Sequence, residues 1–571
     1  MRRDLSVMAG NEYDLVVIGG GITGLAAAWD ATLRGLSVAV VERRDFVHGA
    51  SANCFKMVHG GIRYLQHADL ARVRESSRER TTLLRIAPHL ARPLPILIPT
   101  YGHGIKGKQI LAAGGKLYDL LTFDRNRGIR DPAGRIPPTH AVSRAEALEH
   151  FPHLEPQGLT GGVLFHDGQM HSPARLALAF LQAAVERGAQ AANYLEATRL
   201  DIAGGRVRGV EVRDTQSDQR FVLRGKVVLN ASGGWVNRFL GRQPELALAV
   251  PPNFSRDACF VVRRRLVDRV AIAISGGTRD PDALVSRDAR HLFLVPWRDC
   301  TLVGVWHAVH TRDPDDTAVS GADLRSFLDE LRGSCPALAV EPGDVVHAQG
   351  GLTLFGENRE GARDLSYGKR SLLVDHAATH GVEGLITLVS VRFTVARLEA
   401  ERAMRAVFGK LDRPLPACAT HTTPLWGGDF ERFDALQQGA RASAAASISN
   451  ASLEALLRNH GSRHGEVLAA LARDPGRRGA LGASHTLGAE VLHAVRDEMA
   501  QTLSDVVFRR TDLGGAGSPG REALESAADL MAAELGWSAE RRAKELDETQ
   551  GVFPSQLGVG AHHEEPETCR S

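Results

Sequence analysis

The feature that most constrains this chain is VVIGGGITGLAAAWDATLRGLSVAVVER at 16–43. Tyr13–Ile18 is an apolar run, Gly24–Leu33 is alanine-rich, and Leu36–Val41 is β-branched before Glu42, so residues 13–45 read strand, glycine turn, helix, strand. Gly19 permits the tight turn, Gly21 lets backbone approach a pyrophosphate, and Gly24 lets the helix pack on the strand. Gly20, Ile22 and Thr23 complete the cofactor-binding turn. Glu42 is placed to accept from a ribose 2′-hydroxyl, with Arg43 beside it, which favours FAD or NAD over a 2′-phosphorylated cofactor. A glycine fingerprint alone is weak evidence, but here the preceding strand, the following helix and the terminal acid are all present. The segment GASANCFKMVHGGIRYL at 49–65 reads either as an ordinary glycine-bearing loop or as small residues that thread against a second cofactor moiety, which an NAD enzyme does not need.

At 571 residues the chain is too long for one ordinary core, and two or three domains are expected. The net charge of +2 balances many arginines against acids without a long basic run, so a nucleic-acid platform is not indicated. Cys54, Cys259, Cys300, Cys335, Cys418 and Cys569 lie far apart with no CxxC pair, so no metal site is read and a reduced, cytoplasmic setting is expected. The apolar run Leu15–Ile18 is far too short for a signal or a membrane span.

Farther along, Ala174–Arg187 reads as helix, Gln190–Leu200 as extended, Ala203-Gly204-Gly205 as a hairpin turn and Lys226–Asn230 as a strand. Short strand-like runs at Cys259–Arg263, Ala271–Ser275, Leu292–Val295 and Thr301–Val305 predict an antiparallel sheet. Helical spacing at Ala435–Ala446, Leu453–Leu457, Gly465–Ala472, Ala489–Leu503 and Arg521–Leu535 predicts a helical C-terminal domain, and the polar tail from Gly551 reads as disordered. Residues 103–123 place Lys106, Lys108 and Lys116 beside apolar positions; an interfacial helix and a helix packed on its domain both fit, and two internal glycines favour the second.

These segments resemble the FAD-dependent glycerol-3-phosphate dehydrogenases, within the broader class similar to D-amino-acid oxidase. The resemblance rests on IGGGITG at 18–24, KMVHGGIRYLQH at 56–67, APHL at 87–90, FHDGQMHSPARL at 165–176, NASGGWVNRFLG at 230–241, LFLVPWRDCTLVG at 292–304 and EMAQTLSDVVFRRTDLG at 498–514. It implies an α/β plus α+β architecture: a Rossmann-like FAD-binding domain from 12–100, 140–250 and 345–410, an antiparallel-sheet substrate domain from 101–139 and 251–344, and a helical C-terminal domain at 425–550, with 551–571 as the tail. It further implies that Ser51, Ala52, His59, Gly60 and Gly61 line the flavin, that Ala197 meets the adenine, and that Ala231 and Gly233 belong to a second flavin-contacting turn.

Oxidation of a secondary alcohol requires hydride transfer, removal of the hydroxyl proton and cations to hold a phosphate. By the resemblance Arg63 lies near the substrate, and Arg392 stands where the family has lysine. His59 is a candidate proton acceptor or a hydrogen bonder to the flavin. His307, with Trp306, departs from the family's VGTTD and joins the catalytic candidates. Leu352 stands where an arginine is expected, Lys369 or Arg370 offers compensation, and Ser390 and Val391 replace two glycines. The leading expectation is oxidation of sn-glycerol 3-phosphate to dihydroxyacetone phosphate, with a quinone-like acceptor, a homodimer and peripheral contact with the inner face of the cell membrane. A flavin oxidoreductase for another small hydroxy or amino acid derivative, and a non-catalytic FAD-binding protein, are the alternatives.

Overall fold

The computed structural model describes residues 1–102, 107–250, 254–279, 289–356, 358–362, 364–366, 368, 370–443, 448–473 and 479–553. Lys106, Lys369, the last residues of the predicted helix at 435–446, and the tail beyond 553 lie outside the described residues.

The predicted βαβ unit forms as strand Glu12–Ile18, helix Ile22–Leu33 and strand Val38–Val41. Apolar residues on both faces of the first strand suit a sheet covered on both sides, and Glu12–Ile18 lies at its centre. The order across it is Leu372–Asp375, Leu385–Val389, Arg220–Asn230, Glu12–Ile18, Val38–Val41 and Gln190–Ala192. All neighbours are parallel except the first pair. Helices Ile22–Leu33, Pro173–Val185 and Ala396–Lys410 cover one face, with Trp29 edge-on to Phe180 at 5.4 Å. The predicted hairpin joins Leu195–Ala203 to Arg206–Asp214, with Gly204 and Gly205 at φ +59° and +73°, where a side chain would be strained.

A second sheet of nine strands runs Val345–Leu354, Phe254–Val262, Cys300–His310, Ala289–Trp297, Ala271–Arg279, Ala91–Tyr101, Leu159–Met170 and Met57–Val58, with His140–Val142 beside Leu159–Met170. It is antiparallel apart from one short parallel contact of Ala271 and Ile272 with Ile96 and Leu97. This sheet takes in Met57–Val58, Ala91–Tyr101, Leu159–Met170 and Val345–Leu354, segments that the resemblance assigned to the FAD-binding part. The domain boundaries at 100, 140 and 345 therefore cut through one sheet. Ala91–Tyr101 carries Pro93, Pro95 and Pro99, which remove ladder donors and mask a strand in the sequence.

The C-terminal part is helical from Phe433 onward. Its helix Gly488–Glu498 stops short of the expected Leu503, because Met499 turns into the left-handed region at φ +60°. This domain docks through buried ions. Asp45 accepts from both Arg509 and Arg510, and Arg175 reaches both Glu498 oxygens at 2.7 Å.

Candidate active site

Two adjoining cavities meet at Ala50. The narrower, of about 140 Å³, runs past Gly19, Gly21 and Thr23 and is walled by Glu42, Arg43, Ser51, Ala197, Ala231 and Gly233. Its floor is built by close backbone approach. Gly19 sits at φ +107°, where an added Cβ would fall against the Ala231 carbonyl, and a Cβ at Gly24 would collide with the Gly19 carbonyl oxygen. The helix begins at Gly21 with no side-chain cap, leaving the positive end of its dipole beside the cleft. Glu42 accepts from the backbone N–H of Gly20 at 2.8 Å and of Arg44 at 3.0 Å. Burial pushes its carboxyl up, while these two donors favour the charged form.

A side-chainless turn, a helix N-terminus and a strand-end acid along one narrow cleft fit an adenosine diphosphate moiety, and these residues would hold that half of an FAD, whose flavin end would point past Ala50 toward the wider cavity. Gly19, Gly21, Thr23, Glu42, Arg43, Ser51, Ala197, Ala231 and Gly233 line the cleft. Gly20, Ile22, Gly24 and Ala52 are not among the lining residues; they shape it from behind, Gly20 by donating to Glu42 and Ile22 by donating to Ser51 Oγ at 3.0 Å. Trp235, Arg238 and Arg242 also line it, residues that sequence reasoning did not single out. Asp315 accepts from Trp235 Nε1 at 2.9 Å and from Arg43 and Arg238, while Arg242 donates to Glu196 at 2.6 Å.

The wider cavity, of about 310 Å³, lies against the second sheet and is closed by the segments at 50–67 and 391–394. His59, Gly61, Arg63, His307 and Arg392 all line it. Gly60 does not; it packs against Arg80, and its N–H donates to Asp167 at 2.6 Å. Arg392 donates to Tyr64 Oη and, at 3.2 Å, to Ser76 Oγ, and its guanidinium lies 4.8 Å from the Tyr64 ring centre. Arg72 stacks on the same ring at 4.9 Å. Arg290 and Lys56 add cations that the sequence did not reveal. Arg290 is buried and donates to the Leu365 carbonyl. Against these stand only Asp167 and Asp257 among the described lining residues, and Asp167 is engaged by Arg80 at 2.8 Å.

Strand alternation sorts the departures from the family pattern. Gly351 and Thr353 line the wider cavity, whereas Leu352 between them faces the narrow cleft and packs on Gly234. Position 352 thus belongs to the cofactor wall. Likewise His307 lines the cavity while Trp306 packs near Phe327, ring centres 6.5 Å apart. Val391 lines the cavity and its methyl fills the space beside Gly368; Ser390 Oγ turns back to the Arg392 carbonyl at 3.0 Å. Arg370 is exposed and is not among the lining residues.

His460, His493 and Glu498 bring three metal-ligating atoms within 4.8 Å of one another. Arg175 occupies that group, paired with Glu498 and donating toward His460 Nδ1 at 3.1 Å. A fixed guanidinium there opposes a divalent cation.

Residues 14–387 match the model of the FAD dependent oxidoreductases, and residues 418–542 match the C-terminal domain of alpha-glycerophosphate oxidase. A glycerol-3-phosphate dehydrogenase of Synechocystis is 28% identical, covering 95% of this chain and 97% of its own. The probable mitochondrial glycerol-3-phosphate dehydrogenase of Caenorhabditis elegans is 31% identical and the human mitochondrial enzyme 30%, each covering 98% of this chain and 76% of its own. The crystal structure of the Bacillus halodurans glycerol-3-phosphate dehydrogenase complexed with FAD shares the fold, with a TM-score of 0.74, 23% identity and 98% of both chains covered. The chain belongs to the FAD-dependent oxidoreductases and, within them, to the FAD-dependent glycerol-3-phosphate dehydrogenase family.

Proposed function

We propose that this chain oxidises the C2 hydroxyl of sn-glycerol 3-phosphate to the ketone of dihydroxyacetone phosphate. FAD, when bound, supplies the hydride acceptor. The observation that carries the reading is the gathering of Arg63, Arg72, Arg290 and Arg392 around one cavity that adjoins the cofactor cleft. Such a cavity favours a dianionic phosphate over a zwitterionic amino acid, whose ammonium it would repel. Arg392 presents a planar fork already oriented by Tyr64 and Ser76, where a lysine would offer a point charge. The test is anaerobic addition of glycerol 3-phosphate to the FAD-loaded protein. Bleaching of the flavin is expected; an oxidised spectrum that persists overturns the substrate.

Electron delivery to a quinone-like acceptor and peripheral contact with the cell membrane belong to the same reading. Among the described residues no helix is long and apolar enough to cross a membrane. Helix Lys108–Leu121 buries Gly115 and Tyr118 and turns other apolar side chains outward, Ile110, Leu117 and Leu120 among them. Leu120 is 70% exposed and Phe123, just beyond the helix, 77%. An outer apolar edge flanked by Lys108 and Lys116 supports shallow insertion among anionic lipids. Co-sedimentation with anionic vesicles that is lost in L120E/F123E is the expected result; equal sedimentation of the variant overturns it.

A further inference from the structure

We propose that His307, held by Asp257, accepts the hydroxyl proton of the substrate, an assignment that rests on the substrate reading above. The pair is built by strand register. Asp257 on Phe254–Val262 lies directly across from His307 on Cys300–His310, and both line the wider cavity. His307 Nδ1 stands 2.8 Å from Asp257 Oδ1. The carboxylate is fixed in turn by Ser255 Oγ, donating to Oδ1 at 2.6 Å, and by Thr353 Oγ1, donating to Oδ2 at 3.0 Å. Thr353 comes from the third paired strand, Val345–Leu354, where it lies opposite Ser255.

The chemistry follows from this geometry. A carboxylate that already accepts two hydroxyl protons holds the imidazole with Nδ1 as donor, which leaves the lone pair of the neutral ring on Nε2. That tautomer is the one a proton acceptor needs, and the carboxylate stabilises the imidazolium that forms. Removal of the hydroxyl proton to Nε2, together with departure of the C2 hydride to FAD, converts the alcohol to the ketone with atoms and electrons balanced. Asp257, Ser255 and Thr353 are positioning residues, acting through His307.

His59 lacks this support. Its side chain is 46% exposed, and its Nδ1 lies 3.8 Å from an Asp167 already shared between Arg80 and the Gly60 N–H. At 3.8 Å that carboxylate makes no hydrogen bond to fix the ring's tautomer.

The test compares wild type, H307A and D257N, all loaded with FAD, by stopped-flow reduction and by calorimetric binding of dihydroxyacetone phosphate to the oxidised form, where no turnover occurs. H307A is expected to slow flavin reduction on the order of 10²–10⁴-fold. Product binding is expected to stay within about 3-fold, and added imidazole to restore part of the rate. D257N is expected to slow reduction without imidazole rescue, because the ring is present but wrongly held. An unslowed H307A overturns the assignment. So does an H307A that loses product binding along with its rate and gains nothing from imidazole, since that is a structural role. If wild type is not bleached by glycerol 3-phosphate, the substrate reading fails and this role with it, whereas bleaching that persists unslowed in H307A removes the dyad alone.

Discussion

The cofactor cleft and the substrate cavity meet at Ala50 but are made of different material. The cleft is a backbone construction, in which Gly19 and Gly24 bring chain segments together closer than any side chain allows. The cavity is a side-chain construction, with Arg63, Arg290, Arg392 and His307 reaching inward from four separate segments. A backbone site tolerates almost no change at its few close contacts, whereas a side-chain site can be rebuilt one residue at a time. Of the positions that the resemblance sets apart, 307, 391 and 392 line the cavity, 352 lines the cleft, and 306 lines neither.

The sharpest way to break the comparison is at Gly24. Gly24→Val places a branched side chain against the Gly19 carbonyl, and the turn must shift. We expect FAD affinity to fall by at least roughly 100-fold, about 3 kcal/mol, measured as flavin retained after gel filtration. A fully loaded G24V would show that the cleft is not set by backbone contact. On the cavity side, Arg392→Met is expected to lower kcat/KM for glycerol 3-phosphate by about 100-fold while FAD stays bound, and Arg392→Lys to recover part of the loss. FAD release from R392M would mean that the two regions are one.

The same contrast explains what the sequence made legible. The βαβ unit, the hairpin at Gly204-Gly205 and the helical C-terminal domain follow from local periodicity and from glycines with a conformational duty. Sheet membership of Ala91–Tyr101 and Leu159–Met170 does not, because prolines interrupt the first and glycines with His166, Asp167 and Gln169 the second, so neither shows a clean strand period. The Asp257–His307 contact depends on pairing between strands about 50 residues apart in sequence, and Arg290 carries no motif. The orientation of position 352 is illegible for a related reason. An aligned letter does not tell which side of a strand it faces, and Leu352 faces the cofactor.

That alternation gives a smaller and more discriminating prediction. Leu352→Ala is expected to weaken FAD binding about 3- to 10-fold by opening the wall beside Gly234, leaving KM for glycerol 3-phosphate unchanged. Thr353→Val, one residue on, is expected to spare FAD and slow reduction about 10-fold by releasing one oxygen of Asp257. Interchanged phenotypes would refute the assignment of the two faces.

Cleft and cavity share a support, and the last prediction tests whether they fail together. Asp45, just after the Glu42 turn, binds Arg509 and Arg510, while Arg298, at the end of a cavity strand, binds Asp512. Within the domain that carries these partners, burial pushes the Glu490 carboxyl up to about 8. Its surroundings are the Leu487 N–H, Asp512, Arg175, Asn459 and His460. Burial opposes charge on His493 as well, but the Asp497 and Glu498 carboxylates, 3.3 and 3.5 Å away, outweigh it and raise this imidazole to about 9, against the nearby Arg175. Both groups hold in the folded protein a proton that the unfolded chain loses earlier, so stability falls as pH rises. The Glu490 contribution declines from about 4.5 to 8 and the His493 contribution from about 6.5 to 9. Glu498, kept charged mainly by Arg175 against its burial, and His460, kept neutral by burial, keep one charge state in the folded protein across that window. Buried His48, His89 and His347, held neutral in the folded protein, act in the opposite sense near pH 6.5, so the Glu490 part is read as a difference: the slope of apparent Tm between pH 6.5 and 9 is expected to be shallower in E490Q than in wild type, by a total of about 2 °C. Because one docked domain underlies both regions, flavin release and the loss of product binding should follow that slope together. If flavin is released along it while product binding holds, cleft and cavity rest on separate supports.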